Sequence, residues 1–316
     1  MTANTLSNKK VSKYGKRGFF GTLGKQWQLM LMSVPMLLYV ILFNYAPMWG
    51  WITAFQDYKP KQGLWGSAFV GMKNFAFLFG RAEFIQSIRN TLAMSIINLV
   101  FGTVSSIVLA ILLNEIRSKA FKRTVQTVTY LPHFLSMVIV VSMAQNIFSS
   151  DGPVNELFAA FGKKEPIFWL GTPSYFWWLQ GFINVWKEVG WNTIIYISAM
   201  TSIDPCLYEA ASIDGAGRFN RILHVTLPGI KTTFVVLLIM NIGHLMEAGF
   251  EIQYLMGNSL VEDFSQTIDI FVLKYGISKQ QYGVATAAGM FKSVVAIILL
   301  FAANTVAKLL DEDTLI

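Results

Sequence analysis

"EAASIDGAGRFNRILHVTLP", Glu209 to Pro228, lies between two long apolar runs, yet it holds Glu209, Asp214, Arg218, Arg221 and His224. Its start and stop signals are local. Asp204 followed by Pro205 reads as an N-cap with proline at the first helical position. The residues up to Asp214 tolerate helix, and Gly215 supplies a C-terminal stop. A second helix fits from about Gly217 to Thr226 and is expected to yield near Pro228. Phe219, Ile222 and Leu223 share one side of it, with Arg218 and Arg221 elsewhere, an amphipathic pattern. The segment therefore reads as helix, glycine turn, helix, lying at a membrane surface. Ala210 and Ala211 permit close approach of a partner, and Glu209 and Asp214 offer it acids to pair with. On the residues alone, a solvated connector fits as well.

The flanking runs set the class. The chain has 316 residues, 54% hydrophobic and only 14% charged, with a mean hydropathy of +0.49, whereas soluble domains are about a quarter charged. A bilayer core of about 30 Å takes roughly 20 apolar residues as helix. Six runs qualify: Leu29–Trp49, Asn90–Leu113, Val125–Phe148, Tyr175–Met200, Thr232–Ala248 and Tyr282–Ala307. The fourth is the weakest, because Lys187 and Glu188 lie inside it. The expected fold is an all-α polytopic membrane protein with six transmembrane helices. No second soluble domain is visible. Cys206 is the single cysteine, and His133, His224 and His244 are scattered with no HExxH or CxxC spacing, so no metal site is expected.

Basic residues orient the spans. Lys9, Lys10, Lys13, Lys16, Arg17 and Lys25 precede the first, Arg117, Lys119, Lys122 and Arg123 follow the second, and Arg218, Arg221 and Lys231 follow the fourth. The positive-inside rule places these loops and both termini in the cytoplasm. The net charge of +7 is then a topology signal rather than a mark of nucleic-acid binding. The expected organisation is a cytoplasmic basic segment at 1–28, a six-helix domain at 29–309 with the loop at 203–228, and a cytoplasmic tail at 310–316. A cleaved signal peptide fits less well than an uncleaved first span, since the apolar run is long and no small-x-small site follows it. The loops at about 50–89, 149–174 and 249–281 are external. Trp51–Phe75 alternates polar and aromatic residues with glycine turns, and a helix is expected near Lys73–Phe79.

Glu209-Ala210-Ala211, Gly215 and Val225-Thr226-Leu227-Pro228 together resemble the EAA motif, EAA-x3-G-x9-I-x-LP, with Val225 where isoleucine is usual. That motif marks the membrane subunits of bacterial binding-protein-dependent ABC importers. The stretches "MWGWITAFQDYKP", "RNTLAMSI" and "LAILLNEIRSKAFKRTVQTVTYLPHFLS" extend the resemblance over most of the chain from Leu29 onward, toward carbohydrate-uptake permeases of the polysaccharide and complex-oligosaccharide branch. The resemblance implies a maltose-permease-like type I transmembrane domain in the bacterial cytoplasmic membrane. It implies that Glu209, Ala210, Ala211, Asp214, Gly215, Leu227 and Pro228 belong to a coupling loop that docks on an ATPase. The implied partners are a second permease subunit, two copies of an ABC ATPase, an extracytoplasmic sugar-binding protein and membrane lipid. No GxxxxGK[ST] occurs in the chain, so ATP and Mg are expected on the ATPase, with no cofactor bound here and no covalent reaction catalysed.

Polar groups inside spans usually face a cavity or one another. Gln180, Asn184, Glu188 and Asn192 recur every four residues, on one slowly turning face of the fourth span. Asn241, His244 and Glu247 do nearly the same around the fifth, and Lys292 lies in the sixth. Two readings stand side by side: a hydrophilic lining for a hydroxyl-rich solute, or a network that holds the bundle. Trp177 and Trp178 suit an interfacial aromatic belt, and Trp186 and Trp191 lie deeper. Gly283, Ala285, Ala287, Gly289 and Ser293 make a stripe of small residues, suited to close packing against other spans or a partner. An ion-coupled secondary transporter is the rival reading, through Glu188, Glu247 and Lys292, although no inverted repeat is seen. A membrane enzyme is disfavoured because His133, His244 and Glu247 are dispersed on this topology.

Overall fold

The computed structural model describes residues 27–163 and 165–310. The basic residues before the first span, from Lys9 to Lys25, and the tail at 311–316 lie outside them. The chain divides into two units, one ending at Ile52 and the other beginning at Thr53.

The first unit is carried by helix α1, Trp27–Phe55, which runs on into the second. It contains Pro35, a π turn at Ile41–Tyr45 and a tighter 3-10 stretch from Ala46. Pro47 lacks an N–H for the regular ladder, which fits that change of winding.

The second unit is helical apart from a two-residue antiparallel ladder that sets Gln56 opposite Phe69 and Asp57 opposite Ala68. A short helix at Lys73–Phe79 follows, where the sequence predicts one. The longer helices are α2, Ala82–Glu115; α3, Lys119–Phe134, and α4, Met137–Ile147; α5, Pro173–Thr201; α6, Pro205–Ile213; α7, Arg218–Gly229, and α8, Lys231–Gly243; and α9, Tyr282–Leu309.

One expected span is bent and another is cut short. The run expected as one helix at Val125–Phe148 turns by 103° between α3 and α4. Leu135 and Ser136 are extended there, and the Ser136 hydroxyl caps α4 by accepting from Ile139 N–H. The fifth span, expected to reach Ala248, ends at Gly243. His244 and Leu245 close it with tightened bonds to Asn241 and Ile242, and Gly249 turns the chain at φ +90°. A bend of 57° also separates α7 from α8. Among the described residues, α1, α2 and α9 are long and apolar enough to cross a membrane, and five segments are if each bent pair is one span. The expected fourth span, α5, is not among them. It has 29 residues, about 43 Å at the usual helical rise, so composition and not length sets it apart.

α5 is the hub. It packs along α2, and the Thr193 hydroxyl donates to Ser106 O at 3.2 Å. α3 crosses it so closely that a Cβ on Gly190 would lie 2.0 Å from Thr129 O. Met94 of α2, Val140 and Val141 of α4, and Phe176, Leu179 and Ile183 of α5 share one apolar core. The connection between α8 and α9 folds onto the bundle through Ile252, Met256 and Val261 in that core and through Ile268 and Phe271 in a second. In that connection Lys274 donates to Glu262 at 2.7 Å, and this bond holds the lysine above its ordinary pKa. The small-residue stripe of α9 splits: Gly283, Ala285 and Ala287 are buried within the unit, whereas a Cβ on Gly289 would meet open space.

Candidate functional site

Two groups of residues stand out. The first is the elbow formed by α6 and α7. Asp204 caps α6 by accepting from Cys206 N–H at 2.9 Å, with Pro205 in the first turn. Gly215 closes α6 at φ +78°. Asp214 N–H returns to Ala210 O at 3.0 Å and Ala216 N–H to Ala211 O at 2.8 Å, a glycine-terminated helix end. The stop expected near Pro228 comes one residue later, at Gly229, where the 57° bend into α8 follows. The helix reaches Pro228 through a π turn at Ile222–Thr226, in which Leu227 N–H donates to Ile222 O, and proline in the last turn needs no N–H of its own.

The elbow is tied to itself and to the bundle. Tyr208 OH lies 3.0 Å from Thr226 Oγ1, and Arg221 Nη1 donates to Ser212 Oγ at 3.2 Å. Arg218 lies 3.9 Å from Glu115 at the end of α2. Ile230, just past α7, is buried with Tyr196 and Met200 of α5. The outer surface is free in this chain: Glu209, Ala210, Asp214, Gly215 and Pro228 are exposed, and Ala211 and Leu227 are half-buried. Ile213 and Phe219 stand 87% and 86% exposed beside them. The amphipathic reading identified Phe219; it missed Ile213, whose signal is an apolar residue directly before the helix-ending Asp214 and Gly215.

The second group lines a cavity of about 260 Å³ among α2, α5 and α8. Six of the eight polar residues singled out in the spans meet there: Asn184, Glu188, Asn192, Asn241, His244 and Glu247. The other two do not line it. Gln180 is fully buried and donates to Asn98 Oδ1 at 3.3 Å. Lys292 donates to Asp269 Oδ1 at 2.8 Å and lies 3.9 Å from Glu247. Sequence reading missed the α2 side, where Ser95, Asn98, Thr103 and Ser106 contribute. Small polar residues in so apolar a run give only a faint signal.

The residues judged too dispersed to converge do converge in part. Glu188, His244 and Glu247 share the cavity, and His133 Nδ1 reaches Glu188 Oε2 at 2.7 Å. Lys187 Nζ donates to His133 O at 2.8 Å and to Glu188 Oε1 at 3.0 Å. Trp191 stacks on His133, whereas Trp177 is held inward by donating to Phe264 O at 2.9 Å. Lining and network therefore share residues: Glu188 faces the cavity and anchors α3 to α5. Among the described residues, no group of three or more His, Cys, Asp or Glu side chains is placed to hold a metal ion.

Residues 102–313 match the family described as binding-protein-dependent transport system inner membrane component. LplB of Bacillus subtilis (strain 168) is 43% identical over 288 residues, 91% of this chain and 90% of that protein. The polygalacturonan/rhamnogalacturonan transport system permease protein YteP of the same organism is 44% identical over 290 residues, 92% of this chain and 90% of that one. Among solved structures, a chain of a bacterial alginate ABC transporter in complex with an alginate pentasaccharide-bound periplasmic protein superposes with a TM-score of 0.87 at 34% identity. That match covers 95% of this chain and all of the other.

Proposed function

Since this chain belongs to the family of binding-protein-dependent transport system inner membrane components, we propose that it is the permease subunit of an ATP-driven importer of an oligosaccharide or polysaccharide fragment. A second permease subunit, a paralogue, completes the path. Two copies of a separate ATPase hold ATP and Mg below, and an extracytoplasmic binding protein delivers the sugar above. The protein sits in the bacterial cytoplasmic membrane, crosses it six times and keeps both termini inside.

The observation that carries this reading is the α6–α7 elbow. It is a folded, capped unit that leaves Glu209, Ala210, Asp214 and two apolar side chains, Ile213 and Phe219, exposed. Its other side is bonded to α2 and buried against α5. A partner that grips the outer face would move these helices with it, because packed elements shift as bodies. The cavity between α2, α5 and α8 supports a route for a hydroxyl-rich solute, since amides, hydroxyls and carboxylates dominate its polar lining. The substrates in the names of YteP and the alginate transporter support a saccharide over the solute of an ion-coupled carrier.

The test is reconstitution with the neighbouring subunits. Sugar-loaded binding protein should raise ATP turnover, and Glu209→Lys should abolish uptake while the complex still assembles. Undiminished uptake with the elbow scrambled, or without nucleotide, would refute the reading.

A further inference from the structure

Arg117, Lys119, Lys122 and Arg123 stand where α2 gives way to α3. Lys122 is half-buried and the other three are exposed. Lys119 lies three residues before Lys122 and four before Arg123, so these cations are neighbours on one helix, where like charges repel. No acid occurs between Ile116 and Ser150 to relieve them. Glu115, the acid just before, is the carboxylate that Arg218 approaches at 3.9 Å. Among the described residues, none of the four side chains has an ion-pair or hydrogen-bond partner. Four cations kept together without a counter-charge call for anions from outside the chain.

The fold sets their depth. Thr129 O is the group that a Cβ on Gly190 would strike, and Gly190 lies near the middle of α5. From Thr129 back to Arg123 and to Lys119 the chain is helical, a reach of about 9 and about 15 Å at the usual rise. Half of a bilayer's hydrocarbon core is about 15 Å. With α5 across the membrane, the cations therefore reach the level where acyl chains end and lipid phosphates begin, whereas a soluble subunit stays below it. On the same helix Phe121 and Val128, two turns apart, are 58% and 64% exposed and add apolar surface. Clustered basic groups on a helix with an exposed apolar side suit an anionic lipid surface.

We infer that residues 117–128 form a site for anionic phospholipid, whose phosphates lie against Arg117, Lys119, Lys122 and Arg123 and whose acyl chains cover Phe121 and Val128. The inference rests on the importer reading for its topology, in which this end of α3 meets the cytoplasmic leaflet.

The test uses the full transporter in liposomes of phosphatidylcholine with one quarter phosphatidylglycerol, each lipid supplied in turn with a photoactivatable group. Phosphatidylglycerol should label residues 117–128 in preference to phosphatidylcholine, and raising salt from about 0.1 M to about 1 M should remove the preference. Lys119→Gln with Arg123→Gln should lower it about tenfold, whereas Lys119→Arg should keep it. The unfolding midpoint in detergent should hold, because neither side chain has a partner to lose. Equal labelling by the two lipids, or a preference that the double variant leaves untouched, would overturn the site and leave the basic loop as a topology signal alone. Release of the ATPase from the double variant, with labelling unchanged, would assign the cations to that subunit and overturn it likewise. Failure of the same liposomes to take up any sugar from maltotetraose to tetragalacturonate would count against the importer reading, and labelling would still judge the lipid site.

Discussion

His133 and Glu188 are joined by a 2.7 Å hydrogen bond, Nδ1 to Oε2, beside the break between α3 and α4. The imidazole lies flat on Trp191, with ring centroids 4.4 Å apart and planes within 3°. Lys187 bonds both partners, through the His133 carbonyl and the Glu188 carboxylate. The bend in the expected third span is thus fastened to α5 by one polar cluster, and that cluster also presents a carboxylate to the bundle cavity.

Removing the carboxylate should loosen this joint. The Lys187 side chain is only 9% exposed, so Glu188→Gln leaves a nearly buried ammonium without its counter-charge. The expected loss is about 1–3 kcal/mol, below that of a fully buried pair because Glu188 is itself 28% exposed. Thermal unfolding of the purified complex in detergent measures it, and adding Lys187→Met should recover most of the loss. No recovery in the double variant would show that the pair is not the cause.

Lys292 ties α9 to the connection that precedes it, with Asp269 at 2.8 Å and Glu247 at 3.9 Å. Lys292→Met should destabilise by about 1–3 kcal/mol, and Asp269→Asn in the same chain should recover part of it, a coupling that a double-mutant cycle reads directly. Strict additivity of the two changes would mean that they act independently.

Gly215 holds φ +78° at the end of α6. A β-branched side chain there costs about 1–2 kcal/mol in backbone strain and re-aims the outer face of the elbow. Gly215→Val should cut sugar-stimulated ATP turnover and uptake together, whereas Gly215→Asn, which tolerates this conformation, should keep most of both. Equal behaviour of the two variants would remove the left-handed turn from the account.

The elbow was legible because its signals are local: Asp204, Pro205 and Gly215 each act on the backbone beside them. The spans were legible where composition alone decides, as in α2 and α9. The break after Phe134 was not, because an apolar run gives no sign that Ser136 will cap a new helix. Pro228 was a sound stop signal, since α7 ends at Gly229 with a bend of 57°; what it did not reveal is the π turn at Ile222–Thr226 before it. The cavity was half legible. The four-residue period of Asn184, Glu188 and Asn192 showed one wall, whereas Ser95 and Asn98 on α2 face them through tertiary packing that no periodicity reveals. The meeting of His133 with Glu188 depends on the bend itself, and so stayed hidden with it.

The polarity of α5 bears on how the protein is made. A segment carrying Gln180, Lys187 and Glu188 gains little by leaving the insertion machinery for lipid alone. Its complementary surface on α2 is synthesised earlier and is already in the bilayer when α5 emerges. In the proposed topology α5 therefore enters the membrane as half of a pair, and the order of helices along the gene becomes part of what makes the molecule assemble.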